Sequence, residues 1–140
     1  MPAMWRKRKD QSHMKWSCTI RARFFDKKKG VYKPLAPQAK GNSKVVTKQK
    51  RIVNSPRAAA FVKECKAAAM EHPPKRLLRG DLWFAGNLYY ASPLSDLDPG
   101  LIWDALEGIV YENDRQIVAA SLYKMLDKND PRAEIFIEER

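Results

Sequence analysis

The segment between Ser55-Pro56 and His72-Pro73-Pro74 constrains the fold more than any other, because both of its ends are written in the sequence. Ser55 is a good helix N-cap, since its hydroxyl can accept a backbone N–H of the first turn. Pro56 suits the first helical position, where its missing N–H costs nothing. Behind that start Phe61, Cys65 and Ala68 or Ala69 recur at helical spacing, and the prolines after His72 cannot continue the helix. The spacing predicts one amphipathic helix, whose apolar stripe must be buried against another layer.

The flanking segments supply that layer. Trp16 to Phe24 alternates, with Trp16, Cys18, Ile20, Ala22 and Phe24 on one face and Ser17, Thr19, Arg21 and Arg23 on the other, which predicts a half-buried strand. Residues 26 to 54 are punctuated by Gly30, Pro34, Pro37, Gly41 and Asn42, so a loop with at most a short hairpin is expected. Asp81 to Tyr90 reads as a strand bent or bulged at Gly86, with Leu82, Phe84, Leu88 and Tyr90 on shared faces. Asp98 can then cap a short helix that has Pro99 at its first position, Leu101, Ile102, Ala105 and Leu106 on its apolar side, and Gly108 at its end. Gln116 to Leu126 reads as another strand, turned by DKNDPR into Ala133 to Glu138 as an antiparallel hairpin. The order predicts an α+β domain with a single mixed sheet packed against helices.

The 140 residues fit one domain, and with 44% hydrophobic residues they can bury a real core. Residues 1–14 read as a flexible basic tail and 15–140 as the folded domain, with Met14 a candidate start of the folded part. Cys18 and Cys65, with His13 and His72, show no zinc-site spacing and read as buried thiols in a reducing cytoplasm.

Charge divides the chain in two. Residues 1–80 carry net charge +18 and residues 81–140 carry −7, which together make the overall +11. A basic half this lopsided predicts attraction to phosphate, weakened by salt. Membrane is the poorer anionic partner, because there is no apolar run of 18 residues and no apolar segment of the kind a secretory signal needs.

The acids gather in PLSDLDPGLIWDALEGIVYENDRQIV. In an extended segment Asp96 and Asp98 project to one side while Leu97 points into the core, and magnesium or manganese favours such hard oxygen ligands. Asp114 is the candidate third ligand, returned to the pair by the short helix and turn, with Glu112 in reserve. The bland alternative has Asp98 as a cap, Asp114 in a turn and Asp96 facing water, since a D-x-D spacing is a common accident.

The run SDLDPGLIWDALEGIVYENDRQI resembles the signature of the RusA-type Holliday-junction resolvases, small phage and prophage endonucleases. The resemblance extends through Lys124-Met125 and AEIFIEE and, more loosely, to PQAKGNSK and RIVNSPRAAAFVKE, covering about residues 16 to 138. It implies a RusA-like fold in a homodimer, acting on four-way junction DNA in the bacterial cytoplasm. It also implies that Asp96, Asp98 and Asp114 are the catalytic aspartates and hold Mg2+ or Mn2+. This chain departs from the family in lacking a lysine about four residues after the second aspartate, where Leu101-Ile102 stand. Lys124, Lys44 and Arg115 are the candidate substitutes for that cation. The basic half supplies candidate DNA contacts at Arg21, Arg23, Lys40, Asn42, Lys44 and Lys48, with Lys124 beyond it, and such contacts hold phosphate without reading bases. Tyr32 is the candidate for stacking on an unpaired base. A different class, a branched- or single-stranded-DNA-binding protein with weak or no catalysis, follows from the missing lysine.

Overall fold

The computed structural model describes residues 13–41 and 44–140. Eight strands and two α-helices are described: β1 (Lys15–Ile20), β2 (Ala22–Asp26), β3 (Val31–Leu35), β4 (Lys44–Val46), β5 (Ile52–Asn54), α1 (Pro56–Glu71), β6 (Leu82–Tyr90), α2 (Gly100–Leu106), β7 (Ile117–Leu126) and β8 (Arg132–Glu139). A 3-10 turn over Asp114–Gln116 leads into β7. The main sheet has the order β1-β8-β6-β7, and β2-β3 and β4-β5 form separate two-stranded hairpins. The sheet is mixed, with β6 parallel to β7 and antiparallel to β8. The fold class is therefore the α+β arrangement that the sequence predicts.

Helix α1 begins as the sequence demands. The Ser55 hydroxyl accepts the Ala58 N–H at 3.2 Å, and Pro56 is the first helical residue. Its buried stripe is Ala58, Phe61, Cys65 and Ala69. At the far end the Trp16 Nε1 donates to the His72 carbonyl at 2.8 Å, so the stop signal is also a dock onto β1. Leu101, Ile102, Ala105 and Leu106 of α2 join the same core, together with Leu82, Phe84, Leu88 and Tyr90 of β6 and Ala133, Ile135 and Ile137 of β8. Cys65 is buried and Cys18 half-buried, and both are free thiols. Among the described residues no helix is long and apolar enough to cross a membrane.

Four expectations need correction. The segment Trp16 to Phe24 is two strands in different sheets. β1 ends at Ile20 because its partner β8 runs out there, Ile20 facing Ala133, and β2 turns away to pair with β3. The lysine-rich segment holds two hairpins rather than a loop with at most one. β6 carries no bulge at Gly86, and its register irregularity lies between Leu82 and Trp83. At Gly86 a side chain would come within 3.1 Å of the Phe84 ring, so the glycine leaves that ring its space.

The largest correction concerns β7 and β8, which are not a hairpin. They flank β6 on opposite sides, and the connection between them passes across the end of β6. The Asp127 N–H bonds the Tyr90 carbonyl at that crossing. Two strand spacings are about 9.6 Å, and five extended residues cover roughly 16 Å, so the turn is long enough to skip a strand. β6 wins the central place because its core-facing row is buried from Leu82 to Tyr90.

Of the expected tail, residues 1–12 lie outside the described residues. Met14 packs against the core, and its N–H donates to Glu139 at 2.7 Å.

Candidate metal centre

Asp104 stands on α2, and Glu107, three positions on, is the extended residue that caps the end of that helix. Gly108 then reverses the chain in the left-handed region, at φ 80°, which a residue with a Cβ adopts only under strain. Its N–H donates to the Tyr111 carbonyl at 2.7 Å, and the buried Tyr111 hydroxyl donates back to the Trp103 carbonyl at 2.6 Å. Asn113 and Gln116 close a reciprocal cap around the 3-10 turn. Asp114 is thereby delivered beside α2, with its N–H donating to Glu107 Oε1 at 2.9 Å.

The result is a group of three carboxylates. Asp104, Glu107 and Asp114 each bring one oxygen within 4.8 Å of the others. Burial, then the charge of Glu107 and a hydrogen bond with it, then the charge of Asp104, raise the Asp114 pKa, and Lys40 acts the other way. Crowded like charges are what a divalent cation would relieve.

The D-x-D pair lies in the loop between β6 and α2 rather than on an extended strand. Asp98 Oδ1 accepts the Gly100 N–H at 2.8 Å, and its Oδ2 accepts the N–H groups of Lys40 at 3.1 Å and Gly41 at 3.4 Å. Asp98 thus steadies the start of α2 from one residue further out than predicted, since Pro99 occupies the N-cap. Asp96 is exposed. Leu97, expected in the core, is 38% exposed, because the loop leaves the sheet before it. Beneath the loop the Tyr90 hydroxyl is buried. Burial raises its pKa, a hydrogen bond from the Asp98 backbone acts the other way, and the charges of Asp98 and Asp96 add to the rise. The oxygen donors of the carboxylate group suit a hard cation with its water.

The cation that reaches this site is Lys40, whose Nζ lies 2.7 Å from Asp104 Oδ2. Lys124 instead donates to the Pro93 carbonyl at 2.7 Å, pinning the loop, and Lys44 bonds Asn54 within its own hairpin. Arg115 donates its backbone N–H to Asn113. Sequence reasoning therefore missed Asp104 and Glu107 as partners of Asp114, and it read Lys40 as a DNA contact alone. The i, i+3 acids opposite the apolar side of α2 were the available signal for the first two. Nothing local signalled Lys40, which lies more than fifty residues from Asp104 in the chain.

The remaining candidate DNA contacts are spread over the basic half. Arg21 is paired with Asp130 at 3.1 Å, Arg23 stacks over the Tyr32 ring at 5.1 Å, and Lys48 is exposed. Asn42 lies outside the described residues. Arg23, Lys27, Lys28, Lys33, Arg57 and Lys63 surround a groove between the β2-β3 hairpin and α1. At its edge Phe25 and the exposed Tyr32 pack with ring centroids 5.1 Å apart.

A family model described as endodeoxyribonuclease RusA matches residues 34–138 of the 140. No curated protein matches the chain.

Proposed function

We propose, because the chain belongs to the RusA endodeoxyribonuclease family, that it is a metal-dependent nuclease resolving four-way DNA junctions by paired nicks. The observation that carries this reading is the meeting of Asp104, Glu107 and Asp114 within 4.8 Å, inside the segment that the family model matches. Asp96, Asp98 and Asp114 are the proposed catalytic and metal-holding residues, and Asp104 and Glu107 extend the set.

Magnesium or manganese bound there would polarise a phosphate oxygen and lower the pKa of a bound water. The protein's own groups do the rest. Asp104, Glu107 and Asp114 offer oxygens that are already converged, so little ordering cost remains at binding. Asp98 keeps the loop and the start of α2 in register through its three backbone N–H bonds. No side chain needs to act as a covalent nucleophile. The Arg23-to-Lys63 groove and the Phe25–Tyr32 pair suit phosphates and an unpaired base, which fits selection by branched shape.

Asp98→Asn and Asp114→Asn should each lower junction cleavage by about 100-fold. Junction binding by gel shift in chelator should stay within about threefold of the parent, since that term comes from the basic half. A double variant that still nicks would reject the assignment. The alternative, a junction-binding protein without useful catalysis, is favoured by one observation: Leu101 and Ile102 are fully buried, so the inner face of α2 holds no cation. A labelled junction with Mg2+ or Mn2+ decides, because a shift without product supports the binder.

A further inference from the structure

The loop that follows β3 does something a phosphate-holding loop need not do. Leu35 and Pro37 are buried, so the chain after the hairpin is drawn down against the core. It then meets the acidic half at both ends of one residue. The Lys40 N–H is held by Asp98 Oδ2, and the Lys40 ammonium lies 2.7 Å from Asp104 Oδ2. Between those two anchors the aliphatic stem lies against Gly100. A Cβ built there would come within 3.0 Å of Lys40 Cβ, Lys40 Cδ and Asp98 Oδ1, so the missing side chain at the start of α2 leaves room for the stem and for the carboxylate beside it. Among the described residues Lys40 is the one cation ion-paired with the Asp104, Glu107 and Asp114 group.

We propose that Lys40 is a further active-site residue: its ammonium serves as the built-in counter-ion of the carboxylate group, gives way to a divalent cation, and then pairs with the scissile phosphate. This rests on the metal-dependent nuclease reading. The geometry supports each part. An ammonium at ion-pair distance from Asp104 competes for the oxygen that a metal would take. When Asp104 is taken, the backbone bond to Asp98 and the groove at Gly100 keep the lysine at the site instead of releasing it to solvent. A cation held beside the metal ligands is also where charge develops on a phosphate under attack.

The test is a Mn2+ titration by calorimetry on the full chain and on Lys40→Met, Lys40→Arg and Gly100→Ala, with single-turnover junction cleavage at saturating Mn2+ alongside. Both partners of the ion pair are partly exposed, so Lys40→Met should bind Mn2+ only about two- to fivefold more tightly. It should nevertheless cleave at least about tenfold more slowly once saturated, because a phosphate partner is gone. Lys40→Arg should restore the parent Mn2+ affinity. Gly100→Ala, which keeps every charge but crowds both the stem and Asp98 Oδ1, should slow cleavage at saturating Mn2+ as Lys40→Met does. Unchanged or weaker Mn2+ affinity in Lys40→Met, with the parent binding and cleaving normally, overturns the role of Lys40 alone. A parent that binds no Mn2+ overturns the nuclease reading and this inference with it.

Discussion

Glu139 shows at a single residue how the fold treats a buried charge. It stands in the core-facing row of β8 at 6% exposure, where an unpaired carboxylate would be costly. Four donors meet it: the two terminal nitrogens of Arg76, at 2.7 and 3.1 Å, and the backbone N–H groups of Met14 and Arg79. Arg76 first, then those N–H groups, hold its pKa at about 2, below its ordinary 4.5, against the opposing effect of burial. A depressed carboxylate stabilises fully above the unfolded-state value and loses that contribution as pH falls from there through the folded value. The shift corresponds to roughly 3 kcal/mol. Glu139→Gln should therefore cost about 2–3 kcal/mol in urea unfolding at pH 7. The gap to the parent should narrow steadily below pH 4.5 and be nearly closed at pH 2. A gap that does not change with pH would mean that packing, and not charge, is what Glu139 supplies.

At the level of elements, α1 is fastened at both ends by single bonds, from Ser55 at the start and from Trp16 at the stop. Ser55→Ala should lower the urea midpoint by the equivalent of about 1 kcal/mol, and Ser55→Asp should restore it. This element was fully legible in the sequence, because its cap, its first proline and its stop are local signals. The alternating faces of β1, β6 and β8 were legible for the same reason. What could not be read was pairing. Residues 16 to 24 alternate without interruption, and only the end of β8 opposite Ile20 decides where β1 stops. DKNDPR has the composition of a hairpin turn, and only the claim of β6 to the sheet centre makes it a crossing. The candidate site divides likewise: Asp114 returns next to α2 through a short local turn, whereas Lys40 reaches Asp104 through tertiary packing.

For the whole molecule, among the described residues the helices cover one face of the sheet and leave the other open. On that open face Trp83, Tyr123 and Phe136 stand exposed around the small residues Ala85, Ala119 and Ser121, and among the described residues β7 pairs only with β6. Exposed apolar surface of this kind is what an interface between subunits uses. The proposed homodimer, in which each subunit makes one of two paired nicks, would close on this face. Phe136→Glu should shift the sedimentation equilibrium toward monomer while leaving the far-ultraviolet circular dichroism unchanged. Product analysis should then show single nicks in place of paired ones. A parent that sediments as a monomer at micromolar concentration would remove the dimer.

The passage of the β7–β8 connection across the end of β6 has a consequence for how the chain is made. β1 is translated early, yet β8, its neighbour in the main sheet, comes more than a hundred residues later, as the bond from Met14 to Glu139 across 125 positions shows. Until then the ribosome holds out a strand whose partner β8 has yet to be made. Closing so long a loop is slow, so β8 enters last, between two strands already waiting, and the sheet locks only when it does.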